Sequence, residues 1–190
     1  MPDAAQSGGV NVVKNLLKCC KDNCTDRDRF RTTALMYAAG FVGNVEVVRV
    51  MLEGGVNAET ATDDFGWTAL HTAATYGRLD VCRLLLDWGV KVDPLSMWKE
   101  TPLYLAVQSE HLLVVKLLVE RGADVSVKDN FGRTVLHDAA SKGYLSVVKL
   151  LVERGADVSL KNDFGQTARD VARSWGMDDV AEWLDSVKER

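Results

Sequence analysis

The chain has 190 residues, of which 47% are hydrophobic and 26% charged, and these are ordinary values for a folded globular protein. Its 23 basic and 27 acidic residues give a net charge of −4, which argues against a nucleic-acid partner because phosphate binding needs a basic face. Apolar runs stay well short of the ~18 residues that a membrane span needs, and residues 1–9 have no signal-peptide pattern, so we expect no membrane partner and no export.

The N-terminal segment combines a helical apolar pattern with clustered cysteines. In Gly8–Leu17 the apolar residues have the spacing of the second helices described below, so we expect residues 1–27 to be a capping half repeat and its linker. Cys19, Cys20 and Cys24 follow. Three close thiols without an export signal indicate a reducing compartment, the cytoplasm or else the nucleus. A zinc site is the less favoured alternative, because a fourth ligand and the usual two-residue spacing are missing.

A repeat organises the rest of the chain. The sequence VVKLLVERGADVS at Val114–Ser126 recurs letter for letter at Val147–Ser159, 33 residues later. Five threonines open the repeated units, namely Thr33, Thr68, Thr101, Thr134 and Thr167. Each unit continues with a short helix, a turn and a second apolar helix that stops at glycine. One helix pair cannot bury its own apolar face, so the pattern predicts a stacked solenoid.

The 33-residue period and sequences such as TALHTAATYG (Thr68–Gly77) and TPLYLAVQSE (Thr101–Glu110) resemble the T-P-L-H-x-A pattern of the ankyrin-repeat family. The resemblance covers about Asp28 to Ser186. It implies an all-α ankyrin-repeat solenoid of stacked helix-loop-helix units with β-hairpin fingers. We expect five repeats followed by a C-terminal tail at 187–190, and the repeats are assigned to residues 28–62, 63–95, 96–128, 129–161 and 162–186.

Some units depart from the common pattern. The first step between threonines is 35 residues, which predicts one extra residue around Gly40–Val42 and another within Asn57–Asp64. The first inner turn and the first finger should therefore bulge. Glu110 occupies the position of the inner-turn glycine in the third unit, and Arg169-Asp170 replaces the Leu-His pair in the last.

His71, His137 and Cys82 stand at positions that recur with the packing period, whereas a catalytic residue has no reason to occupy a repeating position. His71 and His137 occupy the same position two units apart, so we expect each imidazole to bind the threonine or the finger backbone. We expect His111, at a turn, to be solvated, and Cys82 to be a small core residue. Common catalytic and metal-binding motifs are missing from the sequence, so we predict a protein that is not an enzyme and uses no cofactor.

The finger positions carry the aromatic residues of interest. Three residues before each threonine stands an aromatic ring, in Phe30, Phe65, Trp98, Phe131 and Phe164. These rings either pack on one another to stiffen the array or contact a partner. In the ankyrin family, the positions one before and eight after the threonine line the concave face and usually carry partner contacts. By this resemblance, Trp67, Tyr76 and Trp98 should form an aromatic pocket.

The C-terminal units suggest further contacts. Arg133 and Lys142, with Arg169 and Arg173, form a basic patch that could meet an acidic partner segment, and Trp175 occupies a concave-face position in the last unit. The position of Trp88 within its repeat places it outside the concave face, and it is a second, weaker candidate for a partner-binding site.

Together these features predict a non-catalytic protein–protein interaction module, a scaffold, adaptor or inhibitor that binds a protein partner through its concave face and fingers and is a monomer on its own. The alternative is a substrate-recruiting arm of a larger enzyme complex such as a ubiquitin ligase. Asn57 resembles the finger asparagine that an oxygen-dependent hydroxylase modifies in many ankyrin proteins, although it can equally be a simple turn residue.

Overall fold

The computed structural model describes residues 34–59 and 63–188, which contain ten α-helices in stacked antiparallel pairs. The first inner helix, α1 (Ala34–Tyr37), continues into a π-helical segment (Ala38–Val42). The other inner helices are α3 (Ala69–Thr75), α5 (Pro102–Gln108), α7 (Val135–Ser141) and α9 (Ala168–Ser174). The outer helices are α2 (Val45–Glu53), α4 (Leu79–Asp87), α6 (Leu112–Glu120), α8 (Leu145–Glu153) and α10 (Asp178–Lys188). The predicted all-α solenoid is confirmed.

The inner helices begin directly after the predicted threonine caps. The hydroxyl of Thr101 accepts a hydrogen bond from the backbone N–H of Tyr104 at 3.2 Å, and Thr167 does the same for Asp170 at 3.3 Å. A side-chain acceptor at this point satisfies one of the free N–H groups of the first turn. The inner turns close with left-handed backbone, as at Gly77 (φ +66°), and at Glu110 (φ +62°), which adopts the glycine conformation despite its side chain.

The core lies between the two helix layers and runs through the stack from one pair to the next. The outer helices contribute a buried small residue at the same position of each repeat, fully buried in Val48, Cys82, Val115 and Val148 and 3% exposed in Ala181. Leucines such as Leu85, Leu118 and Leu151 are fully buried beside them. Cys82 is therefore a core residue, as its phase predicts, and burial raises the pKa of its thiol to about 12.

The predicted extra residue in the first inner turn is absorbed as the π-helical segment. The N–H of Gly43 donates to the carbonyl of Ala38 at 2.9 Å, one residue further back than in an α-helix. The next repeat supports this turn, because Arg78 Nε donates to the carbonyl of Gly40 at 2.9 Å. Gly40 itself packs so closely on α3 that a Cβ there would overlap the methyl group of Thr72.

The fingers between repeats are tighter than the expected β-hairpins. Each closes with two backbone hydrogen bonds across one turn, such as Ser96 N–H to the carbonyl of Glu100 at 3.0 Å and Lys99 N–H to that of Ser96 at 2.9 Å. Two bonds across one turn do not make a ladder, and residues 34–59 and 63–188 contain no β-strand.

Several predicted features fall outside the described residues. These are the half repeat at Gly8–Leu17, the cysteines Cys19, Cys20 and Cys24, the first cap Thr33 and the finger ring Phe30. At the other end, α10 continues to Lys188, into the segment predicted to be a tail. None of the helices in the described ranges is long and apolar enough to cross a membrane.

Candidate functional site

A polar side chain inside each finger holds the finger turn. Asp129 Oδ1 accepts hydrogen bonds from the backbone N–H groups of Phe131 and Arg133, both at 2.9 Å. Ser96 Oγ does the same for Trp98 and Glu100, at 3.2 and 3.1 Å. Equivalent bonds come from Asp63 and Asn162 in the neighbouring fingers. The sequence signal was an Asp, Ser or Asn five residues before each threonine, which our sequence analysis did not use.

The two pattern histidines connect each inner helix to the next finger. His71 accepts a hydrogen bond from Thr68 N–H on Nδ1 at 3.0 Å and lies 3.1 Å from the Glu100 carbonyl through Nε2. His137 makes the matching contacts with Thr134 and the carbonyl of Gln166, at 3.1 Å each. The Nδ1 contact assigns the proton to Nε2. The expected structural role of both histidines is confirmed.

In the third repeat, Tyr104 takes the place of the histidine and forms a different network. Its hydroxyl accepts a hydrogen bond from an Arg133 guanidinium nitrogen at 2.8 Å and lies 3.5 Å from the buried Asp138 carboxylate. The same guanidinium is paired with the Asp129 carboxylate at 2.8 Å. Burial, together with the negative charge of Asp138, raises the pKa of Tyr104, so the hydroxyl stays protonated.

An open groove of about 340 Å³ lies between the fingers that carry Trp67, Trp98 and Phe131, on the inner-helix side. Its aromatic walls are Trp67, Trp98 and Phe131, and Trp98 stacks on Phe65 at 5.1 Å between ring centroids. Trp98 is 40% exposed and Phe131 is 55% exposed, so these two rings are held at the surface, whereas Trp67 is half-buried and packs against the core. The predicted site residues Phe65, Trp67 and Trp98 are thus brought together.

The charged side chains of the groove stand beside these rings. Glu100, Asp129 and Arg133 line it, and the Arg133 guanidinium lies 5.4 Å from the Phe131 ring centroid. Burial is the largest cause that raises the pKa of Glu100; the Asp129 and Asp138 charges add to it, while the Ser96 hydrogen bond and the Arg133 charge act against it. Because Arg133 already bonds Asp129 and Tyr104, the groove has a carboxylate in Glu100 that no cation of the described residues neutralises within 4.0 Å.

Tyr76 belongs to a different cluster from Trp67 and Trp98. Its ring lies 4.7 Å from that of Phe41, which in turn stacks on Tyr37 at 5.3 Å. All three rings are more than a third exposed. The predicted single aromatic pocket is therefore divided into the groove described above and this second cluster on the first inner turn.

The predicted basic patch is largely matched by carboxylates. Arg169 and Arg173 both bind Asp185 of α10, at 2.9 and 2.6 Å. Lys142 is exposed, and its charge acts on the buried Asp138, whose pKa it lowers against the larger raising effect of burial. Trp175 is 67% exposed at the far end of the inner face.

The remaining candidates lie away from the groove. Asn57 is exposed, and its Oδ1 accepts the N–H of Glu59 at 2.9 Å, which is the turn geometry that Asp124 forms with Ser126. His111 is half-buried and its Nε2 lies 3.0 Å from the carbonyl of Thr75, so the expectation that it is solvated was wrong. Trp88 is 48% exposed on the outer layer. In the described parts of the chain, no three His, Cys, Asp or Glu side chains converge as metal ligands would.

Comparison with known proteins identifies the repeat. A family model described as ankyrin repeats matches residues 3–96, 89–162 and 127–186. The chain is 45% identical to zebrafish (Danio rerio) inversin over 71 residues, or 37% of this chain and 7% of inversin. It is 40% identical to serine/threonine-protein kinase 12 of Arabidopsis thaliana over 38% of this chain and 16% of the kinase. Mouse (Mus musculus) ankyrin repeat and SOCS box protein 11 is 38% identical over 35% of this chain and 20% of its own length. The chain thus matches a fifth or less of each of these relatives.

Proposed function

The chain belongs to the ankyrin-repeat family, whose repeats form a non-catalytic protein–protein interaction fold, and on that premise we propose that it binds a protein partner through the groove lined by Trp67, Trp98 and Phe131. The observation that carries this proposal is the grouping of three aromatic rings from three successive fingers around one open cavity of about 340 Å³. Aromatic residues dominate the binding energy of protein interfaces.

The way in which the fingers hold these rings supports the choice of this surface. Trp98 is backed by Phe65, and its finger is held by Ser96 and by His71 of the preceding repeat. A ring that is already ordered loses little side-chain entropy when a partner covers it. Exposed apolar rings grouped in one place mark interaction surfaces more often than a single scattered ring does.

The proposed binding face is wider than the groove. Tyr76, Lys142 and Trp175 stand at the ends of inner helices and would extend the contact beyond the groove, which Arg133 itself lines. The chain would act as a monomeric scaffold, adaptor or inhibitor in the cytoplasm or nucleus, the compartments that its clustered cysteines favour. Light scattering during gel filtration gives the mass of the isolated chain, and a dimer mass would contradict the monomer.

The test is an affinity capture from lysate of the source cells, using the wild type and the Trp67→Ala/Trp98→Ala double variant as baits. Truncating a central interface aromatic often costs ~2 kcal/mol or more, about thirtyfold in affinity. We expect partners captured by the wild type to be lost from the double variant. Leu113→Ala is the control, because Leu113 is an exposed apolar side chain on the outer helix α6, away from the groove and from the candidate sites. Partners that remain bound to the double variant, with a normal melt, would contradict the groove as the site.

A substrate-recruiting arm of a ubiquitin ligase is the second candidate. The similarity to mouse ankyrin repeat and SOCS box protein 11 over 66 residues favours it, since that name joins these repeats to another module. The same capture separates the two functions: ubiquitin-ligase subunits would be recovered with the wild type. They would remain with the groove variant, because a ligase would be joined to the arm elsewhere than through the substrate groove.

Asn57 stays a proposed hydroxylation site. Its exposure and its position in a finger turn support access by an enzyme. Peptide mapping by mass spectrometry of protein from eukaryotic cells tests this, and an unmodified Asn57 peptide at full occupancy would contradict it.

A further inference from the structure

We infer that the groove accepts a lysine or arginine side chain from a basic segment of the partner, an inference that rests on the proposed function and names the chemistry of the ligand. The groove is lined by the rings of Trp67, Trp98 and Phe131 together with Glu100, and one cation, the Arg133 guanidinium, already lies over Phe131 at 5.4 Å from its ring centroid. Aromatic faces attract cations because the ring quadrupole is negative above the plane, and the attraction grows when water is excluded.

The Glu100 carboxylate is a negative charge that is available to pair with such a cation. The backbone of Glu100 is fixed on both sides, since its carbonyl meets His71 Nε2 and its N–H donates to Ser96 Oγ. The carboxylate itself receives only the Ser96 hydroxyl, at 3.3 Å, and forms no ion pair with any described residue. Its neighbour Asp129, by contrast, is neutralised by Arg133 at 2.8 Å.

Further negative charge lies behind the groove. Asp138 is 5% exposed, and its Oδ2 has no hydrogen-bond partner among the described residues. Its charge acts on Glu100 and, with burial as the larger cause, raises the Glu100 pKa. A cation bound between the rings would interact favourably with both carboxylates and would lower that pKa again.

An acidic ligand would find few free donors in the same place. The Arg133 guanidinium is occupied by Asp129 and by the Tyr104 hydroxyl, and the described residues that line the groove include no second cation. The lining side chains contribute two carboxylates, Glu100 and Asp129, against one guanidinium, so they are net negative. A volume of about 340 Å³ is near the lower end of the usual range for ligand sites, about 300–1,000 Å³, which suits one long side chain with its flanking backbone.

The experiment uses a random 12-residue peptide library displayed on phage as the probe. The library is selected on the wild-type chain, and each clone is then tested on the Trp67→Ala/Trp98→Ala variant. We expect groove-dependent clones, which lose binding to this variant, to share a lysine or arginine at one position. Groove-dependent clones with a shared acidic or neutral residue instead would overturn the cation inference and leave the proposed function standing. A selection without groove-dependent clones would count against both.

A synthetic peptide from that selection then isolates the charge. Replacing its shared lysine or arginine by methionine keeps an apolar chain of similar length, and we expect the dissociation constant to rise about tenfold. Glu100→Gln should weaken the basic peptide by a similar factor and leave the methionine peptide unchanged. Glu120→Gln, an exposed glutamate on the outer helix α6, is the control and should change neither. Equal binding of the two peptides would overturn the inference without any protein variant, so a folding defect in Glu100→Gln cannot hide the result.

Discussion

At the scale of single residues, His71 shows how a polar group stabilises the array only in one protonation state. The side chain is fully buried, accepts a bond from Thr68 and meets the Glu100 carbonyl. Burial is the main cause that lowers its pKa from 6.5 to about 4, against the smaller raising effect of the carbonyl contact. The folded chain therefore keeps His71 neutral at pH values where the unfolded chain protonates it.

This difference predicts a loss of stability in weak acid. Because the unfolded chain binds a proton that the folded chain does not, stability is complete above pH 6.5 and falls as the pH drops from 6.5 toward 4. His71 alone should remove roughly 2 kcal/mol of unfolding free energy between pH 7.5 and pH 5, with a further loss from His137, whose pKa burial also lowers. Urea unfolding at several pH values measures this. His71→Gln should be less stable throughout but show a flatter pH dependence, and an unchanged slope would contradict the assignment.

Lys99 offers a second prediction at the residue scale. It has φ +61°, where the equivalent finger residues Gly66, Gly132 and Gly165 have φ +76°, +69° and +75°. The left-handed conformation costs an ordinary residue roughly 1–2 kcal/mol of folding free energy, and glycine avoids this cost. Part of that gain is lost because a glycine makes the unfolded chain more flexible. We expect Lys99→Gly to raise the unfolding free energy by about 0.5–1 kcal/mol. Lys161→Gly, at a loop position without positive φ, is the control and should lower it. Parallel loss in both variants would show that Lys99 is unstrained.

At the scale of elements, side chains from a neighbouring repeat hold several of the turns, among them two fingers and two inner turns. Asp129 organises its own finger, while His137 of α7 reaches the carbonyl of Gln166 in the next. The π-helical segment follows the same rule, because Arg78 at the start of α4 donates to the carbonyls of Gly40 and Phe41. Neighbouring repeats are therefore coupled by hydrogen bonds to turn backbone as well as by packing.

Removing the Arg78 contact should loosen the first inner turn alone. Hydrogen bonds from a charged donor contribute roughly 1.5–3 kcal/mol, so in Arg78→Met we expect faster amide exchange in Ala38–Gly43 and little change in α6 to α9. Hydrogen–deuterium exchange mass spectrometry resolves these regions. Arg83→Met, on the outer side of the same helix, is the control. Unaltered exchange at Ala38–Gly43 in Arg78→Met would mean that the π-helical segment is stable without the Arg78 hydrogen bonds.

At the scale of the whole molecule, the core and the exposed rings of the groove are separate sets of residues. Leu118 and its counterparts Leu85 and Leu151 are fully buried in the continuous layer between the helices. Trp98 and Phe131 stand on fingers outside that layer, 40% and 55% exposed, whereas Trp67 is half-buried against it. A surface built this way can change its binding residues while the stack that carries it stays intact.

Stability and binding should therefore separate in two variants. Leu118→Ala leaves a cavity in the central repeat and should cost ~2–5 kcal/mol of unfolding free energy. Trp98→Ala removes a surface ring and should cost about 1 kcal/mol or less, while losing the partner. Thermal or urea unfolding of both variants, beside the capture experiment, checks this. A collapse of the Trp98→Ala melt would show that the finger rings stabilise the array.

The 35-residue step predicted a bulge in the first inner turn but not its π-helical form. The sequence by itself determined the repeat, the starts of the inner helices, their threonine caps and the core positions. These features come from contacts within a unit or between identical positions of adjacent units, so they recur with the period and can be read from it. The tertiary structure decided which exposed residues meet. Tyr76 joins Phe41 rather than Trp67, Arg133 is held by Asp129 and Tyr104, and His111 binds the carbonyl of Thr75. The period could not predict these contacts, because each joins side chains that differ from one repeat to the next and depends on their distances in space.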